Sequence, residues 1–127
     1  MKLHLTQSDG NHLITAYSED YIEVNRHRYN NSLLVMANKL VADWSSSPNQ
    51  AVAFELLTEK NFEEIATFKP ELVLLGTGKT HRFLHPKIYY PLTQHGIPLE
   101  CMTTAAACRT YNILMSEGRN VAAVLLF

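Results

Sequence analysis

Three short apolar runs in the second half of the chain set the strongest limit on its fold. They are Glu71 to Leu75, Pro98 to Met102 and Asn120 to Phe127, and stretches of helical spacing separate them. A strand, a helix and a second strand in succession call for a crossover, which joins parallel neighbours and is right-handed in nearly every known case. Residues 72–75 are continuously apolar, as expected of a strand covered on both faces. Thr58 is placed to cap a helix over residues 59–67, with Phe62, Ile65 and Ala66 on one side and Pro70 as its stop. Pro86 suits the first turn of a helix running to about His95, with Gly96 beyond its end. Thr103 or Thr104 caps a third helix through Met115, closed by Gly118.

The first half reads as strands. Ser8 to Asn11 is a turn, so residues 3–7 and 12–17 suggest a hairpin. Tyr21 to Asn25 alternates apolar and polar, the pattern of a half-buried strand. Ser32 to Ala37 is a buried strand after a turn at Asn30-Asn31, and Lys39 to Trp44 is its hairpin partner or its continuation. Ser45 to Asn49 is the most loop-like segment and divides two halves of one domain, and Val52 to Leu56 is a further short strand. The expected class is α/β (α+β): a single domain over residues 1–127. Antiparallel N-terminal strands or hairpins join a C-terminal β-α-β-α-β unit in a mixed, partly parallel central sheet.

At 127 residues, 46% apolar and 18% charged, such a domain needs no disulfide or metal staple. The net charge of -1 supplies no basic excess for a nucleic-acid backbone. Met1 to Leu5 is too polar for a signal peptide, and the longest apolar run falls far short of the ~20 residues that span a bilayer. The expected location is cytoplasmic. Cys101 and Cys108 form no disulfide framework.

Chemistry concentrates at the turn after residues 71–75, which reads Gly76-Thr77-Gly78-Lys79-Thr80-His81-Arg82-Phe83. A glycine turn at the carboxyl end of a parallel strand is where open α/β sheets hold ligands. Converging backbone N–H groups would make an anion nest, with Lys79 and Arg82 adding charge; the alternative is a tight turn with solvated cations. A P-loop would need glycine where Val73 stands, and a dinucleotide fingerprint glycine or alanine where His81 stands. On the third helix Arg109, Asn112 and Ser116 share one face, and Ala107, Cys108, Tyr111, Leu114 and Met115 form the core side. Arg109, among small residues, is expected to be partly enclosed, either as a functional cation or in an internal salt bridge with Glu100. A further alternative has Arg109, Glu100 and Asn112 as a buried polar network that only fixes the fold. His81, His85, His95 and Glu100 lack a matched metal spacing, and no nucleophile elbow or carboxylate pair is present. Tyr89, Tyr90 and Tyr111 offer a partner patch or half-buried helix residues.

Residues 68–78, Arg82-Phe83, Gly96-Ile97, Glu100, Thr104-Ala105-Ala106, Arg109 to Asn112, Glu117-Gly118-Arg119 and Val121 to Ala123 recur in the order of one family's signature. The chain resembles a small α/β domain family of unknown function, first defined structurally from a methanogen protein. That family includes a mitochondrial assembly factor for respiratory complex I and an adipogenesis-associated protein. The resemblance implies a three-layer fold with an added β-layer and a stand-alone bacterial member, and it supplies no enzyme activity. The family's fixed residues fall on Gly76, Gly78, Phe83, Glu100, Thr104, Arg109, Thr110, Tyr111, Asn112, Gly118 and Arg119. The expected function is a non-catalytic binding or assembly module without cofactor. Its candidate surface is Gly76, Thr77, Gly78, Lys79, Arg82, Phe83, Glu100, Thr104, Arg109 and Asn112. The alternative is an enzyme or sensor for a small anionic metabolite, held by the glycine turn and Arg109.

Overall fold

The computed structural model describes residues 11–44 and 54–127. Strands β1 (Ile14–Tyr17), β2 (Ile22–Val24) and β3 (His27–Tyr29) form an antiparallel sheet in that order. Strands β4 (Leu33–Met36), β5 (Lys39–Ala42), β6 (Leu72–Thr77), β7 (Leu99–Met102) and β8 (Val121–Leu126) form a second sheet, ordered β5-β4-β8-β6-β7. Within it β6 runs parallel to β7 and β8, and β4 is antiparallel to both β5 and β8. Helices α1 (Glu59–Thr67) and α2 (Tyr90–Gln94) lie on one face, and α3 (Thr104–Ser116) lies on the other.

The period-2 geometry of β6 sorts the core into two. Leu72 and Leu74 join Ile14, Ile22, Cys108 and Tyr111 on the α3 side. Val73 and Leu75 join Phe62, Ile65 and Leu92 on the α1–α2 side. The small sheet covers α3, so the molecule has three layers plus an outer β-layer. The mixed architecture agrees with the sequence expectation, and Lys39 to Ala42 is the hairpin partner of β4.

Several local expectations change. Residues 3–7 and 45–53 lie outside the described residues, and with them the first hairpin's outer strand and the loop at Ser45 to Asn49. Residues 54–56 of the expected strand form a 3-10 turn instead. The helix expected from Pro86 begins only at Tyr90, after turns over residues 86–89. Pro91 explains this. A helix starting at Pro86 would bury Pro91 in its interior, where it lacks an N–H and clashes with the preceding turn, whereas near the first position it is tolerated. The strand β3 has no apolar alternation to reveal it. Its central Arg28 lies 4.0 Å from the Tyr21 ring centroid and pairs with Glu23 at 3.9 Å.

Val24 pairs with His27, so Asn25 and Arg26 are a two-residue hairpin turn. Both have positive φ, 49° and 70°, the type I′ requirement that Asn-Gly fulfils best. A non-glycine residue in this region costs about 1 kcal/mol. Arg26→Gly is therefore expected to stabilise the protein by about 1 kcal/mol, raising Tm by roughly 3–5 °C in thermal unfolding.

Glu71 ties the starts of β6 and β8 together at one end of the central sheet. Its Oε2 accepts the Asn120 N–H at 2.8 Å, and its Oε1 lies 3.5 Å from Arg119 Nε. The Asn120 N–H, then Arg119, hold the Glu71 carboxyl below its ordinary 4.5. A carboxyl whose folded pKa is depressed stabilises the fold above its unfolded pKa, and that contribution fades as pH falls through the folded value. Below about pH 4.5 the Tm of the wild type should fall with acidification, and that of Glu71→Gln should fall less steeply. Parallel curves would refute this contribution.

Candidate functional site

Close contact builds the carboxyl end of the central sheet. A Cβ on Gly76 would sit 2.9 Å from the Thr104 Cα, so only glycine lets β6 touch the first turn of α3. Gly78, at φ +96°, donates its N–H to Thr104 Oγ1 at 2.8 Å and accepts the Thr104 N–H at 3.0 Å. The Thr104 hydroxyl in turn donates to the Leu126 carbonyl at 2.5 Å. Thr77 Oγ1 lies 2.6 Å from the Thr80 carbonyl and 3.1 Å from that of Met102, and it accepts the Arg82 N–H at 3.2 Å. The turn's N–H groups at Gly78 and Arg82 thus bond within the protein.

Both expected cations face carboxylates. Lys79 Nζ is 3.0 Å from Glu19 Oε2. Arg82 pairs with Glu55, and its guanidinium carbon lies 5.4 Å from the Phe54 ring centroid. The Glu55 carboxyl is held below its ordinary range by a backbone hydrogen bond and by Arg82. The Gly78 and Arg82 N–H groups of the glycine turn are thus taken up by Thr104 and Thr77, and Lys79 and Arg82 are each paired with a carboxylate.

The ten candidate residues separate into three groups. Thr77, Gly78, Lys79, Arg82 and Thr104 line a groove of about 540 Å³, closed by Tyr17, Ala105 and Phe127. Phe83 and Glu100 line a second hollow of about 330 Å³ beside Tyr89 and Cys101. Gly76, Arg109 and Asn112 line neither. Phe83 is 81% exposed, with the His81 ring 4.4 Å from its own. The Tyr17, Glu19 and Phe127 contributions escaped sequence reading, since no spacing connects residues so distant in the chain.

Arg109 is exposed rather than enclosed, and its Nη1 donates to the Tyr17 hydroxyl at 2.8 Å rather than pairing with Glu100. Asn112 belongs with the core, not with the exposed Ser116. Its Oδ1 accepts the Ile14 N–H at 3.0 Å and its Nδ2 donates to the Ile14 carbonyl at 2.8 Å. Sixty degrees of helix separate it from Arg109, enough to turn one residue inward and the other out. The network expected from Arg109, Glu100 and Asn112 is therefore not assembled. Tyr111 is fully buried and donates its hydroxyl to the His12 carbonyl at 2.8 Å, leaving Tyr90 exposed and Tyr89 half-buried. Burial pushes the Cys108 thiol up to about 12 and raises that of Cys101, so both are poor nucleophiles at neutral pH. His95 Nδ1 lies 2.9 Å from the Pro91 carbonyl, and His85 Nδ1 accepts the Lys87 N–H. Among the described residues no group of His, Cys, Asp and Glu could hold a metal ion, and no helix is long and apolar enough to cross a membrane.

A fold with a glycine-turned β-α-β edge and an appended three-stranded layer defines a recognisable class. The model of the family described as protein of unknown function (DUF498/DUF598) matches residues 14–126, and the chain belongs to that family. It is 33% identical over 94 residues to NADH dehydrogenase (ubiquinone) 1 alpha subcomplex assembly factor 3 of Mus musculus, covering 72% of this chain and 48% of that protein. The chain thus spans about half the length of the first curated relatives it matches. A crystal structure from Bordetella parapertussis superimposes with a TM-score of 0.82 at 36% identity, covering 94% of this chain and 98% of that one. A solution structure from Bordetella pertussis, described as a Mth938-like domain, gives a TM-score of 0.79 at 30% identity, covering 99% and 92%.

Asn112→Ala would leave both polar groups of Ile14 buried without a partner. Each such group costs about 1–3 kcal/mol. The variant should lose about 3 kcal/mol and ~10 °C in Tm, read by thermal and urea unfolding.

Proposed function

We propose that the protein is a non-catalytic binding module for another protein, recognised through the surface near the Gly76 to Phe83 turn and Arg109. Phe83 carries this reading. A phenylalanine 81% exposed beside the edge strand β7, and an exposed arginine on α3, match the aromatic and arginine enrichment of protein interfaces. The groove lined by Lys79 and Arg82 pairs each cation with a carboxylate, a surface of balanced charge that suits a polypeptide better than a strongly anionic metabolite. The mouse relative is named as an assembly factor, a role exercised on other proteins.

The test is quantitative capture of partners by tagged protein from cells of the source organism. Wild type is compared with Phe83→Ala and Arg109→Ala, each first shown folded by its melting curve. A hot-spot side chain costs about 2 kcal/mol or more, so a genuine partner should bind roughly 30-fold more weakly. Partners held equally by all three proteins would overturn the reading.

A second reading, an enzyme or sensor for a small anionic metabolite, draws support from the 540 Å³ groove at the start of α3 with Lys79 at its rim. A thermal-shift screen with phosphorylated and carboxylated metabolites tests it. A true ligand at ~100 times its Kd stabilises by about 2.7 kcal/mol.

A further inference from the structure

Among the described residues the central sheet ends at β7, and no strand pairs with its outer side. The direction of its backbone groups follows from the ladder. Val73 donates its N–H to the Pro98 carbonyl, and Thr77 Oγ1 lies against the Met102 carbonyl, so the even-numbered residues turn their backbone towards β6. Alternation then directs the N–H and C=O groups of Leu99 and Cys101 outwards. Such an edge is a ready template for one more strand.

The side chains along this edge are sorted by face. Leu99 and Cys101 pack with the α1–α2 core, next to Phe83 and Tyr89 in the 330 Å³ hollow. Met102 packs with the α3 core, and Glu100, two residues earlier, shares its face and is exposed. An added strand places its residues directly opposite those of β7 and on the same faces. Its residue opposite Glu100 meets a carboxylate, and the residues on either side meet the apolar hollow. A second copy of this chain fits poorly. Antiparallel pairing through Leu99 and Cys101 would set Glu100 against its own counterpart, and like charges directly opposite destabilise a sheet.

We propose that the outer edge of β7 binds an extended segment of a partner protein with a lysine or arginine between two apolar residues. This deepens the protein-binding reading above and rests on it. Backbone hydrogen bonds to Leu99 and Cys101 supply affinity, Glu100 selects the basic residue, and Phe83 and Tyr89 cover its apolar neighbours.

The test selects octapeptides from a random displayed library on the whole chain. Enriched peptides are then titrated into the isotopically labelled protein. The expected result is an apolar-basic-apolar consensus whose binding slows exchange of the Leu99 and Cys101 amides. N-methylation of the peptide nitrogen facing Cys101 should weaken binding roughly tenfold. Glu100→Lys, a substitution at an exposed site, should turn the preference towards acidic residues. The proposal is overturned if no peptide is enriched, or if Glu100→Lys leaves the basic preference intact. It is overturned equally if the peptides perturb Gly78, Thr104 and Ala105 instead, or if sedimentation shows a dimer that protects β7. Because selection uses no native partner, a negative result here leaves the capture experiment standing, and the two readings fail separately.

Discussion

The whole carboxyl edge of this protein depends on the hydroxyl of Thr104. In one residue it accepts from the Gly78 backbone and donates to Leu126, while its own N–H bonds the Gly78 carbonyl. Three elements, β6, α3 and β8, are thereby fixed at one point. Gly76 makes that point possible, because a Cβ in its place would lie only 2.9 Å from the Thr104 Cα. The groove, the orientation of Lys79 and the path of the chain towards Phe83 all follow. A residue with the look of a ligand group proves to be the clasp that shapes the site.

A comparable economy joins the outer sheet to the body. Asn112 bonds the backbone of Ile14 as a neighbouring strand would, in both directions. Tyr111 holds His12, and Arg109 holds Tyr17. Three residues within one turn of α3 therefore secure β1 along its length. This explains how a short antiparallel sheet, weak in isolation, keeps a fixed place over a helix.

Periodicity carried most of the architecture. Helix α1 occupies the residues that capping and spacing indicate, and β7 and β8 lie within their apolar runs, whereas β6 continues past Leu75 through Gly76 and Thr77, which the sequence reads as part of the turn. Failures arose where tertiary context overrode local signals. His27 to Tyr29 becomes a strand because its neighbour dictates it, with an aromatic-guanidinium stack in place of an apolar face. Pro86 gave a credible start for a helix that Pro91 displaces. At the site, sequence placed the glycine turn and Thr104 together correctly, through the common edge of a parallel sheet. It missed that Lys79 and Arg82 face Glu19 and Glu55, pairs separated by long stretches of chain. Helical spacing placed Asn112 on the Arg109–Ser116 face, and spacing alone does not say which border residue turns inward.

The antiparallel pairing of β4 with β8 has a consequence for biogenesis. Leu33 pairs with Leu125, and all four residues of β4 are buried in the finished molecule. On the ribosome, β4 emerges about ninety residues before its central neighbour, a delay of roughly 5–20 s at ordinary elongation rates. Throughout that interval an entirely apolar strand has only β5 beside it. The nascent chain thus passes through a stage in which a strand buried at every residue in the folded protein is still exposed, and holdase chaperones have something to offer this protein during its own synthesis.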